Sequence, residues 1–317
     1  MKNVIITGGC GFIGSHVVER LLEGDYHISV LDLWESSEIR ELKKKFKNLE
    51  FFKLDINNYD ELEKFISKNN YFIHLAAILG TSETITTYDV EDVVKTNILG
   101  TTKILKLAKK YNYKKIIIPT TPDVTWLNPY KITKGAVEKI AQLFNKEYGL
   151  NVSCLKLGNI YGSRERWLEA DFNAPFNYQK VIPSFIMDTL NKNEIIIYGD
   201  GEQKSEYIYV KDVSESFFRM IEKEINTGTD IVHVGSGKNH SVLDIVNALE
   251  QAWDKKLNKK FVKMRPGEHK IEINLDPAPL KKYLDYELQW NLVSGIKETI
   301  PYYVEQFNIT KKKIIII

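Results

Sequence analysis

The sequence predicts an α/β protein, a doubly wound parallel sheet with a smaller C-terminal lobe. Three observations carry that expectation. Short apolar runs alternate with helix-period segments through the first half of the chain. The runs are almost continuously apolar, as expected of strands buried on both faces. After about residue 160 the alternation stops, and loops, short strands and scattered helices follow.

The elements can be justified in order. "VIIT" (4–7), "ISVLD" (28–32), "EFFKL" (50–54), "YFIHL" (71–75), "KIIIP" (115–119) and "VSCLKL" (152–157) read as strands. Helices are expected at about 12–23, 36–46, 59–68, 91–110 and 129–148. The last has clear ends: Asn128 can cap it, Pro129 suits its first turn and Gly149 can close it. "SRERWLEADFNAPFNYQK" (163–180) has no period and reads as loop. A helix should follow Pro183, and "EIIIYGDGEQKSEYIYV" (194–210) reads as two short strands around a glycine turn. "DIVHVGSG" (230–237) can return one more strand to the large sheet. The expected division is 1–165, with about 207–235 returning to it, and a smaller lobe over 166–317. The tail "KKKIIII" (311–317) reads as a frayed end or an added edge strand.

Bulk composition excludes several classes. The 317 residues carry 44 basic and 42 acidic side chains, a net charge of +2, which leaves no electrostatic footprint for nucleic acid. Two cysteines, Cys10 and Cys154, imply no disulfide framework, so a reducing cytoplasm is expected. No apolar run approaches the roughly 18 residues of a membrane span. No Cys/His spacing suggests a metal. Cys10 reads as a small residue tolerated in a turn, and His74 as a core histidine with its bonds satisfied.

The first motif is "TGGCGFIG" (7–14), with Gly8, Gly11 and Gly14 between a strand and a helix. Glycines there permit a tight turn and close approach of a pyrophosphate to the helix N-terminus. Asp32 ends the second strand 18 residues after Gly14. A carboxylate at that place accepts hydrogen bonds from a ribose diol and repels a 2′-phosphate. The flanking "LDLWESSE" has no arginine, so NAD is expected over NADP. The second motif is Tyr130 with Lys134, four residues apart on one helix face. Such a pair is common and usually only a solvated helix face. A tyrosine acting as a base near neutral pH must fall about 3 units from its usual pKa of about 10. The lysine ammonium beside an oxidised nicotinamide can supply that. It is the preceding dinucleotide-binding half that gives the pair weight.

Taken together, "TGGCGFIGSH", "HLAA" (74–77), "NILGT" (97–101), "PYKITK" (129–134), "GNIYG" (158–162) and "RPGE" (265–268) resemble the extended short-chain dehydrogenase/reductases. Within them the chain is similar to the NAD-dependent nucleotide-sugar epimerases and dehydratases, over nearly its whole length. The resemblance implies a Rossmann-type domain followed by a substrate-binding lobe, with the ligand in a cleft between them. It implies Tyr130 as base, Lys134 as its partner and Thr121 as the hydroxyl that bonds the sugar, with Thr120 one place before. Phe12 and Ile13 join the three glycines against the cofactor. Asp55 and Ile56 match the pair facing adenine, and Leu75, Ala76, Ala77 and Asn97 match further cofactor-lining positions. Asn159, Arg164, Ser205, Arg265 and Glu268 match substrate positions, Arg265 being the diphosphate ligand. Helices 91–110 and 129–148 match a four-helix dimer interface, with Val93, Leu99, Leu107, Ile132, Ile140 and Phe144 as its apolar members.

Three departures shape the functional expectation. Only eight residues separate Thr121 from Tyr130, and "VTW" stands where "VYG" is common. Asp123 occupies the place of a dehydratase glutamate, without its acidic neighbour. Ser205 replaces an arginine that usually grips the diphosphate, so Arg164, Arg166 or Lys204 would have to rebuild that clamp. The resemblance thus implies oxidation at C4 of a nucleotide-activated hexose or heptose, as 4-epimerase or 4-dehydrogenase, in bacterial surface-polysaccharide synthesis. A 4,6-dehydratase using Asp123 and a non-catalytic NAD-binding regulator are the alternatives.

Overall fold

The structure, a computed structural model, describes residues 2–66, 71–80, 83–122, 127–165, 180–264 and 273–315. The first half runs β1 (Asn3–Thr7), α1 (Phe12–Glu23), β2 (His27–Asp32), α2 (Ser37–Lys45), β3 (Leu49–Lys53), α3 (Tyr59–Ile66) and β4 (Tyr71–His74). It continues with α4 (Glu83–Thr86), α5 (Val90–Val94), a π-helical turn (Lys95–Gly100), α6 (Thr101–Lys110), β5 (Lys115–Thr120), α7 (Pro129–Tyr148) and β6 (Val152–Leu157). The strands form one parallel sheet in the order β3-β2-β1-β4-β5-β6, extended at its far edge by β11 (Ile231–Val234). The chain winds outward from β1 to β3, then from β4 to β6 on the other side. This reversal is the doubly wound topology, and it leaves a switch point between the C-terminal ends of β1 and β4.

Burial explains the apolar runs. Ile5, Leu31, Phe72, Ile116 and Ile118 of the strands share one core cluster with Val137, Ala141 and Phe144 of α7. α7 has its expected ends: the Asn128 side chain accepts from the Lys131 N–H, and Gly149 closes the helix at φ 66°. The single helix expected over 91–110 is instead α5, the π-turn and α6 in succession. Val93, Leu107 and Phe144, grouped in the sequence with an interface, belong to the core, whereas Leu99 and Ile132 are exposed.

The remaining elements are β7 (Asn159–Tyr161), α8 (Val181–Leu190), β8 (Ile195–Tyr198), β9 (Lys204–Ser205), β10 (Tyr207–Tyr209), α9 (Val210–Lys223), β11, β12 (His240–Ser241), α10 (Val242–Trp253), β13 (Lys259–Val262), α11 (Ala278–Leu284) and α12 (Leu292–Ile315). The chain divides into two compact units. The first comprises Met1–Leu157, Val213–Val234 and Asp276–Glu287; the second comprises Gly158–Asp212, Gly235–Leu275 and Leu288–Ile317. The first unit thus ends at 157 rather than 165, and it takes back 276–287, where α11 packs on β11. Segment 194–210 is not a hairpin. β8 pairs with β13, β9 with β12 and β10 with β7. Gly199 and Gly201, at φ 70° and 76°, turn the chain between them. The C-terminal lysines and first isoleucines continue α12 to Ile315 instead of forming a strand.

Candidate functional site

The switch point is built by glycines. Gly8 has φ 72°, and a Cβ there would lie 2.6 Å from the Ala76 nitrogen, so only glycine lets the turn after β1 pass the loop after β4. A Cβ on Gly14 would lie 2.2 Å from the Gly8 oxygen. Gly11 is different: it is exposed, and a Cβ there meets only the Gly8 oxygen at 3.3 Å. It is also the N-cap of α1, where no side chain caps the helix and the first turn carries no acid. The N–H groups of Phe12, Ile13 and Gly14 open that helix, an arrangement suited to receive an anion.

Asp32 sits beside this turn. Its carboxylate accepts from the Cys10 N–H at 3.0 Å and the Leu33 N–H at 2.8 Å. These two bonds fix the orientation of the carboxylate beside the turn. Burial pushes the Cys10 thiol up to about 11, with Asp32 adding to the rise, so it stays neutral. Asp55 is exposed and accepts from Asn57, while Ile56 is buried against the π-turn near Gly100. Leu75, Ala76 and Ala77 are part-buried in the loop after β4.

Asn97 lies in the π-turn. Its Oδ1 accepts from the Ile78 N–H at 2.8 Å, and its Nδ2 donates to the Ile78 oxygen at 2.9 Å and to Thr133 Oγ1 at 3.0 Å. It therefore fastens the loop after β4 to α7. Below it, Thr101 Oγ1 donates to the Asn97 carbonyl at 2.6 Å, so it can only accept from His74 Nε2. His74 Nδ1 then accepts from Thr7 Oγ1 at 2.7 Å. Burial, with a smaller push from Lys134, takes this imidazole down to about 3 and keeps it neutral. His74 is the satisfied core residue the sequence suggested.

Tyr130 stands in the first turn of α7, part-buried, and Lys134 lies one turn on, 6% exposed. Burial alone pushes the phenol up to about 12. It pushes the lysine down to about 8, which Cys154 only partly opposes. Thr121 directly follows β5 and is part-buried. Its neighbour Thr120 is 2% exposed, and its Oγ1 has no hydrogen-bond partner among the described residues.

In the second unit, Asn159 Nδ2 donates to Ser205 Oγ at 2.6 Å, so the hydroxyl is held by a neighbour in its own lobe. Arg164 adopts φ 66°. Asp123, Arg166, Arg265 and Glu268 lie outside the described residues.

Sequence reasoning missed three constellations: the Asn97–Ile78 fastening, the Glu138–Lys156 ion pair on α7 and β6, and Glu206 with its three backbone donors. Only Glu138 left a trace, at four residues after Lys134. No helix among the described residues is long and apolar enough to cross a membrane.

Residues 4–235 match the model of the "NAD dependent epimerase/dehydratase family". A pea bifunctional UDP-glucose 4-epimerase and UDP-xylose 4-epimerase is 29% identical, over 94% of this chain and 93% of its own. The UDP-glucose 4-epimerase of Thermotoga maritima, solved with UDP-glucose, is 28% identical with a TM-score of 0.83, covering 96% of this chain and 99% of its own. The UDP-glucuronic acid 4-epimerase of Bacillus cereus, solved with UDP-glucuronic acid and NAD, is 25% identical with a TM-score of 0.82 over the same shares. With its family model spanning most of the chain, on a sheet whose switch point carries this glycine turn, the protein belongs to the NAD-dependent epimerase/dehydratase family and is an NAD-dependent enzyme.

Proposed function

We propose that the protein is a 4-epimerase of a UDP-activated sugar. The observation that carries the reading is the α7 column, a part-buried Tyr130 one turn from the buried ammonium of Lys134. The uncapped N-terminus of α1 and the Asp32 carboxylate would hold the cofactor's pyrophosphate and ribose, with Asn97 fixing the loop between them. NAD, when bound, supplies the hydride acceptor and donor of the reaction. Tyr130 Oη takes the proton of the sugar C4 hydroxyl and later returns it. Lys134 favours the phenolate by its charge. Thr121 bonds the same hydroxyl and fixes its direction. In the free protein burial holds the phenol near 12, so the base forms only when added positive charge offsets that burial.

Incubation with NAD and UDP-glucose, UDP-glucuronate or UDP-N-acetylglucosamine should give a product of unchanged mass and inverted C4. Tyr130→Phe should retain NAD and lose roughly 10²–10⁴-fold in turnover. A product lighter by one water would replace this reading with dehydration and make Asp123 a participant. Near-normal turnover by Tyr130→Phe would overturn the site assignment.

The same reading extends to assembly and setting. Exposed Val94 and Leu99, on the α5 side, and Ile132 and Leu143, on α7, support a homodimer through these helices. A strictly monomeric mass by light scattering at micromolar concentration would refute it. Cys10 and Cys154, both free and buried, support a reducing cytoplasm. Bacterial surface-polysaccharide synthesis is the setting that a UDP-sugar product would serve.

A further inference from the structure

α7 continues its column past Lys134. Glu138 comes one turn later, and its Oε2 lies 3.3 Å from Lys156 Nζ on β6, both side chains 8% exposed. A second carboxylate contact, from Oε1, is at 3.4 Å. β6 is an interior strand, paired on both sides by β5 and β11. Ion pairs taken out of water carry a large desolvation cost, and apolar residues of the same volume often hold such a place as well or better. Packing alone therefore does not account for this pair.

The pair stands in a defined electrostatic neighbourhood. Cys154, two residues before Lys156 on the same strand face, feels Glu138, Lys134, Lys156 and Lys115 together. The ionisable groups gathered around Cys154 are thus Lys134 and Glu138 from α7, Lys156 from its own strand and buried Lys115 from β5; His74 of β4 feels Lys134, and Tyr130 stands one turn before Lys134 on α7. His74 and Cys154 are held neutral by burial. On the π-turn packed against α7, Lys95 is exposed. Along the α7 column Tyr130 and Lys134 are therefore followed by one buried carboxylate and its ammonium partner, whose charges offset one another, while Lys115 on β5 donates to neutral acceptors, Asn151 Oδ1, Ser153 Oγ and the Ile225 carbonyl.

We infer that the Glu138–Lys156 pair is a positioning and charge-balancing element for catalysis, holding the potential at Tyr130 where the phenol can act as a base. The inference rests on the reading of Tyr130 as that base. Its logic is arithmetic in charge. With both partners present, the Glu138 carboxylate is engaged by Lys156, and the field of Lys134 reaches the phenol undiminished. Remove Lys156, and the net negative charge below the column disfavours the phenolate. Remove Glu138, and the net positive charge favours it.

The magnitude comes from the helix. Tyr130 and Glu138 are eight residues apart, about 12 Å along the axis. A unit charge at about 12 Å and an effective dielectric of about 20 moves a pKa by about one unit.

The test is a four-variant cycle on the NAD-loaded protein: Lys156→Met, Glu138→Gln, the double variant, and Lys156→Arg. Two readouts are taken. One is the phenolate absorbance titration, with Tyr130→Phe subtracted to isolate this tyrosine. The other is the pH dependence of turnover on UDP-glucose, UDP-glucuronate or UDP-N-acetylglucosamine. Lys156→Met should move the phenol titration and the acidic limb of turnover up by about one pH unit. Glu138→Gln should move both down by a similar amount. The double variant, neutral like the parent pair, should return close to the parent profile, and Lys156→Arg should keep it.

If the pair only staples α7 to β6, both single variants will lose stability and rate without opposite shifts, and the inference falls. Absence of any shift in the two single variants overturns it equally. Should either single variant fail to fold, the double variant and Lys156→Arg decide: a displaced profile in the double variant rejects the charge-balance account. A Tyr130→Phe protein with full turnover would instead overturn the assignment of the base.

Discussion

Glu206 offers the sharpest test of how the second unit is held together. It is fully buried, with no exposed surface. Its Oε1 accepts from the N–H groups of Ser236 and Gly237, and its Oε2 from Leu275 N–H at 3.0 Å. Its own carbonyl accepts from Asn159 N–H at 2.8 Å. The chain passes between the two units at five points, after residues 157, 212, 234, 275 and 287. Glu206 binds the backbone just beside three of them. Glu206→Gln preserves volume but turns one acceptor oxygen into a donor amide. With the amide oxygen at the Oε1 place, Leu275 N–H faces a donor and is left unsatisfied, at a cost of about 1–3 kcal/mol. The two surviving bonds drop from charged to neutral strength, removing about another 1–2 kcal/mol between them. The expected loss is thus about 2–5 kcal/mol. Against a typical total of about 5–15 kcal/mol, it should shift a urea transition clearly. The assay is urea unfolding followed by tryptophan fluorescence, with slopes compared so that a changed transition is recognised. A loss below about 1 kcal/mol at unchanged slope would refute the argument that these three N–H groups depend on the carboxylate.

The other expectations are simpler. Because Asp32 ends β2 beside the glycine turn and the flanking "LDLWESSE" carries no basic residue, NAD(H) should bind at least about tenfold tighter than NADP(H), about 1.4 kcal/mol; calorimetry showing equal affinities would contradict this, and Asp32→Ala should narrow the gap. Gly14→Ala places a methyl 2.2 Å from the Gly8 oxygen, so the turn must open, and NAD(H) affinity should fall by at least about tenfold in the same calorimetry. His74 has its folded pKa pushed down to about 3, against about 6.5 unfolded. Between those values the unfolded chain binds more protons, so stability rises with pH and falls on acidification. At pH 5 this residue should account for about 2 kcal/mol of lost stability. Chemical denaturation at pH 7 and pH 5 should show His74→Gln losing less between them than the parent.

Local signals made much of the first unit legible. Buried strands announce themselves as apolar runs, and Asn128, Pro129 and Gly149 mark α7 because capping is a property of nearby residues. Gly8, Gly11 and Gly14 were readable as a turn, although only coordinates distinguish Gly8 and Gly14, required by close backbone, from Gly11, whose openness points outward. What stayed hidden depends on distant partners. The ladders of β8, β9 and β10 join strands far apart in sequence, so an apparent hairpin dissolved. Glu206 and Asp212 look like surface acids until the backbone N–H groups of Leu275, Gln289 and Trp290 are seen to meet them. Asn159 and Ser205, which resemblance put among the substrate positions, also bond each other, a contact across 46 residues that the sequence does not announce.

The π-turn at Lys95–Gly100 has a consequence for how this stretch of chain can change. Such a turn is in effect an α-helix carrying one residue too many. Deleting a single residue between Val90 and Lys95 would let α5 and α6 fuse into a regular helix, with better internal hydrogen bonding. It would also rotate everything upstream of the deletion by about 100° relative to α6. Asn97 could not then keep both Ile78 and Thr133 while Val93 stayed in the core. Local regularity and the grip on the loop after β4 are therefore mutually exclusive here. In a mutational scan, one-residue deletions should be tolerated worse across this segment than across the exposed turn between α8 and β8, although the shortened helix would be the more ideal one.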